Sequence, residues 1–111
     1  MAVTKDKFIK LSKDFSEYPG VRLASVSEHS AEEFYYSILK RAFIMVVCFK
    51  GRLTIDLDGT AGLAASFLDG VFGSLARDFG VCTVFRHLTI ISKDEPELLE
   101  DIKGYIIECN L

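Results

Sequence analysis

No apolar run in this sequence is long enough to cross a bilayer. The longest, Ala42 to Phe49, falls far short of the ~20 residues a spanning helix requires, and nothing near the N-terminus suits a signal peptide. Dense basic clusters are missing too. The net charge is −3, and the only tight group of cations, Lys5, Lys7, Lys10 and Lys13, is interleaved with Asp6 and Asp14. That group reads as a solvated strand face, and neither a nucleic-acid surface nor a membrane contact is expected. The three cysteines, Cys48, Cys82 and Cys109, form no C-x-x-C. An odd, unpatterned set fits a reducing cytoplasm, and their apolar neighbours predict buried, inert thiols.

Catalytic and metal signatures are equally scarce. The two histidines, His29 and His87, are far apart, and no two Cys or His residues stand close enough in sequence to start a metal site. Ser66, His87 and Asp56 or Asp58 could be drawn as a triad, but no G-x-S-x-G elbow surrounds Ser66. Asp56-x-Asp58-Gly59 opens like a calcium loop, yet Phe67 occupies the twelfth position, where a glutamate belongs. No G-x-x-x-x-G-K-[ST] is present. The expectation is a non-enzyme without cofactor or metal.

What is present is a 111-residue chain, half of it hydrophobic, with no repeat, linker or low-complexity segment. This predicts one domain over 1–111. The chain is organised around Leu53 to Phe79. Leu53, Ile55 and Leu57 alternate with Thr54, Asp56 and Asp58, the period of a strand with one buried face. Gly59 and Gly62 break it. A helix is expected from Ser66, whose hydroxyl can cap it with Asp69 at capping-box spacing. Phe67, Leu68, Val71, Phe72, Leu75, Ala76 and Phe79 form its apolar face, and Gly80 stands where a left-handed cap belongs.

The rest follows in order. Phe8 to Leu11 predicts a strand with Ile9 and Leu11 on one face. Tyr18-Pro19-Gly20 suits a type II turn into a second, antiparallel strand over Val21 to Val26. Ser30 and Glu33 make a capping box for a helix that buries Phe34, Ile38, Leu39, Ala42 and Phe43. Residues 44–49 could continue this helix or form a strand, and its end is placed near Met45. Val81 to Ile91 is rich in β-branched and aromatic residues and should hold a strand, most firmly at Leu88 to Ile91. Ser92 or Asp94 should cap a last helix, with Pro96 in its first turn and Leu98, Leu99, Ile102, Tyr105 and Ile106 inward. Strands alternating with helices imply an α/β fold: a small mixed sheet with an N-terminal hairpin and helices packed on it.

The central stretch also resembles a family. An apolar strand ending in D-x-D-G-T (Asp56, Asp58, Gly59, Thr60), then S-F-L-D (Ser66 to Asp69), then F-G-x-L-x-R (Phe72, Gly73, Leu75, Arg77) is similar to the bacterial STAS-like domain of unknown function, a relative of the anti-sigma-factor antagonist (STAS) domains. Phe15-Ser16, Pro19-Gly20 with Arg22, and Ser30 with Glu32, Glu33 and Phe34 fit as well, so the likeness spans about residues 8 to 107. The chain departs from the family pattern at Gly70, where an acidic residue is common, and at Ala31, where glycine is.

The resemblance implies a STAS-like fold and a cytoplasmic regulatory module whose partner is a histidine-kinase-like ATPase or a sensor. In the antagonists a serine at the start of this helix is phosphorylated, which would make Ser66 a phosphoacceptor. The plainer reading leaves Ser66 as a helix cap only. Ser66, Gly70, Gly73 and Arg77 follow intervals of four, three and four. With Asp58, Gly59, Thr60 and Asp69 they are expected to form a docking face, with Gly73 exposed. Two glycines in a helix cost ~1 kcal/mol each against alanine, so propensity did not select them. Close packing inside the domain, or a homodimer contact, would use the same glycines. The alternative function is a small-molecule or nucleotide sensor built on the Asp58 to Ala65 loop.

Overall fold

The computed structural model describes residues 6–20, 29–60 and 62–108. Three short strands, β1 (Lys7–Lys10), β2 (Leu53–Asp56) and β3 (Leu88–Ile91), form a parallel sheet in the order β1-β2-β3. Parallel neighbours cannot be joined by a tight turn, and helices make both connections. Ile9, Ile55 and Ile90 align across the sheet, as do Lys7, Leu53 and Leu88. Ile9, Leu53, Ile55 and Leu88 are buried on one face. The alternate positions, Phe8, Thr54, Asp56 and Thr89, are exposed or half-buried. Tyr18-Pro19-Gly20 does not form the expected type II turn: Gly20 is not among the glycines with positive φ, and its N–H donates to the His29 carbonyl at 2.8 Å. The strand over Val21 to Val26, and with it the N-terminal hairpin, lies outside the described residues.

One helical turn, α1 (Leu11–Asp14), follows β1. The next helix, α2, spans 31–48 as Ala31–Phe34, a π-helical turn Tyr35–Leu39, and Lys40–Cys48. Ser30 caps it by accepting the Glu33 N–H at 3.1 Å. Phe34, Leu39 and Phe43 are buried as expected, with Tyr35 and Val46 beside them. The helix does not stop near Met45 but runs to Cys48. Val46 is wholly buried, and its packing outweighs the β-propensity of Val46 and Val47. The stop comes from Lys50, left-handed at φ 58°, which lets the Gly51 N–H return to the Val46 carbonyl at 2.7 Å.

The helix after β2, α3, spans 65–79 as Ala65–Leu68, a π-helical turn Asp69–Gly73, and Ser74–Phe79. Phe67, Leu68, Val71, Phe72, Leu75 and Ala76 are buried, and Phe79 packs on them. Gly80 takes φ 92° and ψ 146°, an extended mirror-image conformation rather than a left-handed helical cap. This reverses the chain into a helix that the sequence reading missed, α4 (Val81–His87). Strand propensity gives way there to packing, with Val84 wholly buried; the strand keeps Leu88–Ile91 alone. The last helix is α5 (Leu98–Glu108), with Leu98, Ile102 and Ile106 inward. Neither Ser92 nor Asp94 caps it. Ser92 donates to the Glu95 carbonyl, and Pro96 lies in the tight turn where Leu98 N–H meets Glu95 O at 3.0 Å. Cys48 and Cys82 are exposed, not buried: Cys48 falls on the outer side of the unexpected last turn of α2, and Cys82 on the outer side of α4, where a strand was expected.

Ring packing and a polar cluster bind α2 to α3. Phe34 and Phe67 stack at 6.3 Å, with Phe15 tilted against both. The Tyr35 hydroxyl donates to the Asp78 carboxylate at 2.5 Å, and Lys40 sits 3.5 Å from the same carboxylate. Burial, then that hydrogen bond and charge, push the Tyr35 phenol well above its usual range. Above about pH 10 the unfolded chain therefore releases this proton while the folded one holds it. Stability that is fully present at lower pH is lost as pH rises. Tyr35→Phe should cost ~1–2 kcal/mol at neutral pH and flatten the loss of stability above pH 10 in urea melts. Equal alkaline slopes in both proteins would show that this bond carries no pH dependence.

Candidate functional site

The D-x-D-G-T stretch lies where the carboxyl ends of the three strands meet. The Asp56 carboxylate accepts the Asp58 N–H at 2.9 Å and pairs with Lys10 at 3.3 Å. Lys10 thus leaves the solvated face expected for it. Asp58 turns towards the other neighbour: its Oδ1 accepts the N–H groups of Lys93 and Asp94 at 2.8 and 2.9 Å. The Asp94 carboxylate in turn accepts the Gly59 N–H at 3.3 Å. Lys10 and Ser12 both reach the Asp58 carbonyl at 3.4 Å, and Thr60 donates to the Leu57 carbonyl at 3.0 Å. Gly59, at φ 92°, has Ser12 Oγ 2.9 Å from where a Cβ would sit. These residues lock β1, β2 and the β3–α5 loop together. Lys10, Ser12, Lys93 and Asp94 had no sequence signal tying them to the motif.

Beyond this lock the chain opens out. Gly62, Ala64 and Ala65 are exposed, with Gly62 at φ 106° and open space around it. Ala64, not Ser66, occupies the N-cap of α3, and no side chain caps that end. Ser66 is the second helical residue, half-buried. The capping box expected between Ser66 and Asp69 is absent because the extended residue that ends the loop falls two positions earlier.

The glycine face is arranged differently from the expectation. Gly70 and Gly73 are buried, not exposed. Asp69 Oδ1 lies 3.1 Å and Arg77 Nη1 3.5 Å from the point where a Gly73 Cβ would be, so the helix's own side chains roof that glycine. The segment Asp69–Gly73 packs against α5 and the first turn of α2. Arg77 is exposed and donates to Ser74 Oγ at 3.1 Å. The four, three, four spacing lines up only on an unbroken α-helix, and the wider π-turn within it rotates the glycines inward.

The histidines are not brought to Ser66. His87 Nδ1 lies 2.7 Å from the Gly51 carbonyl, at the amino ends of the strands. His29 is 4.0 Å from Glu33 at the start of α2. Among the described residues, no three His, Cys, Asp or Glu side chains converge as a metal ion would need, and no helix is long and apolar enough to cross a membrane.

This strand, acidic glycine turn and helix match the family described as the STAS-like domain of unknown function (DUF4325) over residues 30–98. The chain belongs to that family. The match takes in α2, β2, α3, α4 and β3, a narrower span than the likeness read from the sequence. No curated protein and no solved structure matches the chain.

The lock can be tested apart from any partner. Asp58→Ala removes the acceptor for two backbone N–H groups and should cost ~2 kcal/mol, with Asp58→Asn costing less because one oxygen remains. Gly59→Ala should cost ~1–3 kcal/mol through its backbone angle and the Ser12 contact. Chemical denaturation reads all three. Variants as stable as the parent would mean that water replaces these bonds without loss.

Proposed function

We propose that this domain is a non-catalytic regulatory module that docks a protein partner through residues 62–66. By family, the partner is a histidine-kinase-like ATPase or a sensor, in the cytoplasm of a bacterium. The observation that carries the reading is a contrast within one loop. Asp58, Gly59 and Thr60 are committed to holding the fold, while Gly62, Ala64 and Ala65 stand exposed beyond them with almost no side chain. A backbone displayed on a fixed base can be approached closely and loses little entropy on binding.

Ser66 supports the phosphoacceptor version of this reading. Its side chain caps nothing at the start of α3. A phosphate there would meet the uncapped N–H groups and positive end of the helix. Asp69, which could repel it, leans towards Gly73 and Arg77 instead. The nucleotide-sensor alternative finds less support. The cavity between Asp58, Thr60, Leu63 and the β3–α5 loop measures about 10 Å³, room for about one water molecule.

Ser66→Ala should leave stability within ~0.5 kcal/mol, since no cap is lost. It should also abolish phosphate incorporation when the domain is incubated with its cognate ATPase and ATP. Ala65→Arg should fold normally and fail to retain, in a pull-down from the native host, the partner that the parent retains. A parent-like pull-down with Ala65→Arg would move the contact off this loop. Phosphate on another residue, with Ser66 bare, would remove Ser66 from the mechanism.

A further inference from the structure

At the opposite end of the sheet, where the strands begin, an open cavity of about 690 Å³ lies between the ends of α2 and α4 and the start of β2. This volume is typical of small-ligand sites. Among the described residues, Lys50, Arg52, Arg86 and His87 line it with a single carboxylate, Asp6. That concentration of positive charge is local: the whole chain is acidic, at −3.

The side chains here are set for an anion. Asp6 is occupied, accepting the Arg52 N–H at 2.9 Å. Arg52 is held in place by bonds from Nη1 to Leu88 O at 3.1 Å and to Thr89 Oγ1 at 3.0 Å, which leaves the rest of its fork without a partner among the described residues. The Gly51 carbonyl can only accept, so His87 donates from Nδ1 and its ring is tied to the backbone at the wall of the groove. Lys50 and Arg86 are exposed, and their side chains make no hydrogen bond or ion pair among the described residues.

Part of this charge has a structural explanation. Both α2 and α4 end here, and each carboxyl end favours one nearby cation. Arg52 already meets that need for α4 through the Leu88 carbonyl, so Lys50 and Arg86 together exceed what the two helix ends require. The backbone of Lys50 is the one that ends α2, but the residue type that fills it is unusual. It sits at φ 58°, a conformation in which glycine replaces other residues without strain. A long cationic side chain held there against the backbone preference suggests selection for what that side chain does.

We propose that this groove binds a small, multiply charged phosphate compound, with the unused donors of Lys50, Arg52 and Arg86 on its oxygens. Several forked and point-like donors converging on one cavity suit phosphate oxygens better than a single carboxylate. The site is independent of the partner loop, which lies past the other end of the strands.

Calorimetric titration of the full chain with inorganic pyrophosphate at low ionic strength tests it. Saturable binding is expected, weakening as salt is added. Lys50→Ala and Arg86→Ala should each weaken it about tenfold, while Lys13→Ala, which changes net charge equally, should leave it within about twofold. Lys50→Gly should be the sharpest variant, raising the melting temperature while weakening pyrophosphate about tenfold. No measurable binding at millimolar pyrophosphate overturns the proposal. So does equal weakening by Lys13→Ala, which would mean unspecific charge attraction, or tighter binding of a polyglutamate peptide than of pyrophosphate, which would make the groove a peptide site.

Discussion

The fold depends on one carboxylate. Asp58 sits where β2 has just ended, and its Oδ1 takes two backbone N–H groups from the loop that follows β3. Short parallel strands of four residues have little ladder to hold them. The carboxylate adds charge-assisted bonds at the point where the chain leaves the sheet. The same turn receives Lys10 and Ser12 from the β1 side. The central strand is thereby pinned to both neighbours by contacts outside the ladder. Everything beyond it, including the loop to α3, starts from a fixed position.

Much of this was legible because periodicity reports burial directly. The alternation of Leu53, Ile55 and Leu57 and the helical spacing of Phe67 to Ala76 each name a core face, and all of these residues are buried. The Ser30 cap was equally readable, since its partner Glu33 is three residues away. Features that depend on distant residues were not. Asp58 meets partners 35 and 36 residues on, and no local pattern names them. The glycines of α3 failed for another reason. A residue without a side chain gives no sign of which way it faces, and a π-turn between Ser66 and Arg77 voids the spacing argument. In Val81 to His87, β-branched residues pointed to a strand, whereas burial of Val84 against the core made a helix.

The two ends of the sheet carry different chemistry. Past the carboxyl ends, acidic side chains are consumed internally and small residues face outward. At the amino ends, cationic side chains face outward with one carboxylate among them. Both follow from chain geometry: a parallel sheet gathers all its strand starts on one side and all its strand exits on the other. A small domain with this architecture can therefore present two unlike surfaces without a second domain to carry them.

The strand order has a bearing on how the chain is made. The described strands lie side by side in the order in which they occur along the chain. As the chain emerges from the ribosome, β2 finds β1 already waiting, and β3 arrives to the free edge of β2. None of the described strands has to slip between two others that have already paired. The sheet can therefore grow in one direction, edge outward, at the pace of synthesis. Asp58 is in place before its partners Lys93 and Asp94 exist, ready to close the structure when the last loop appears.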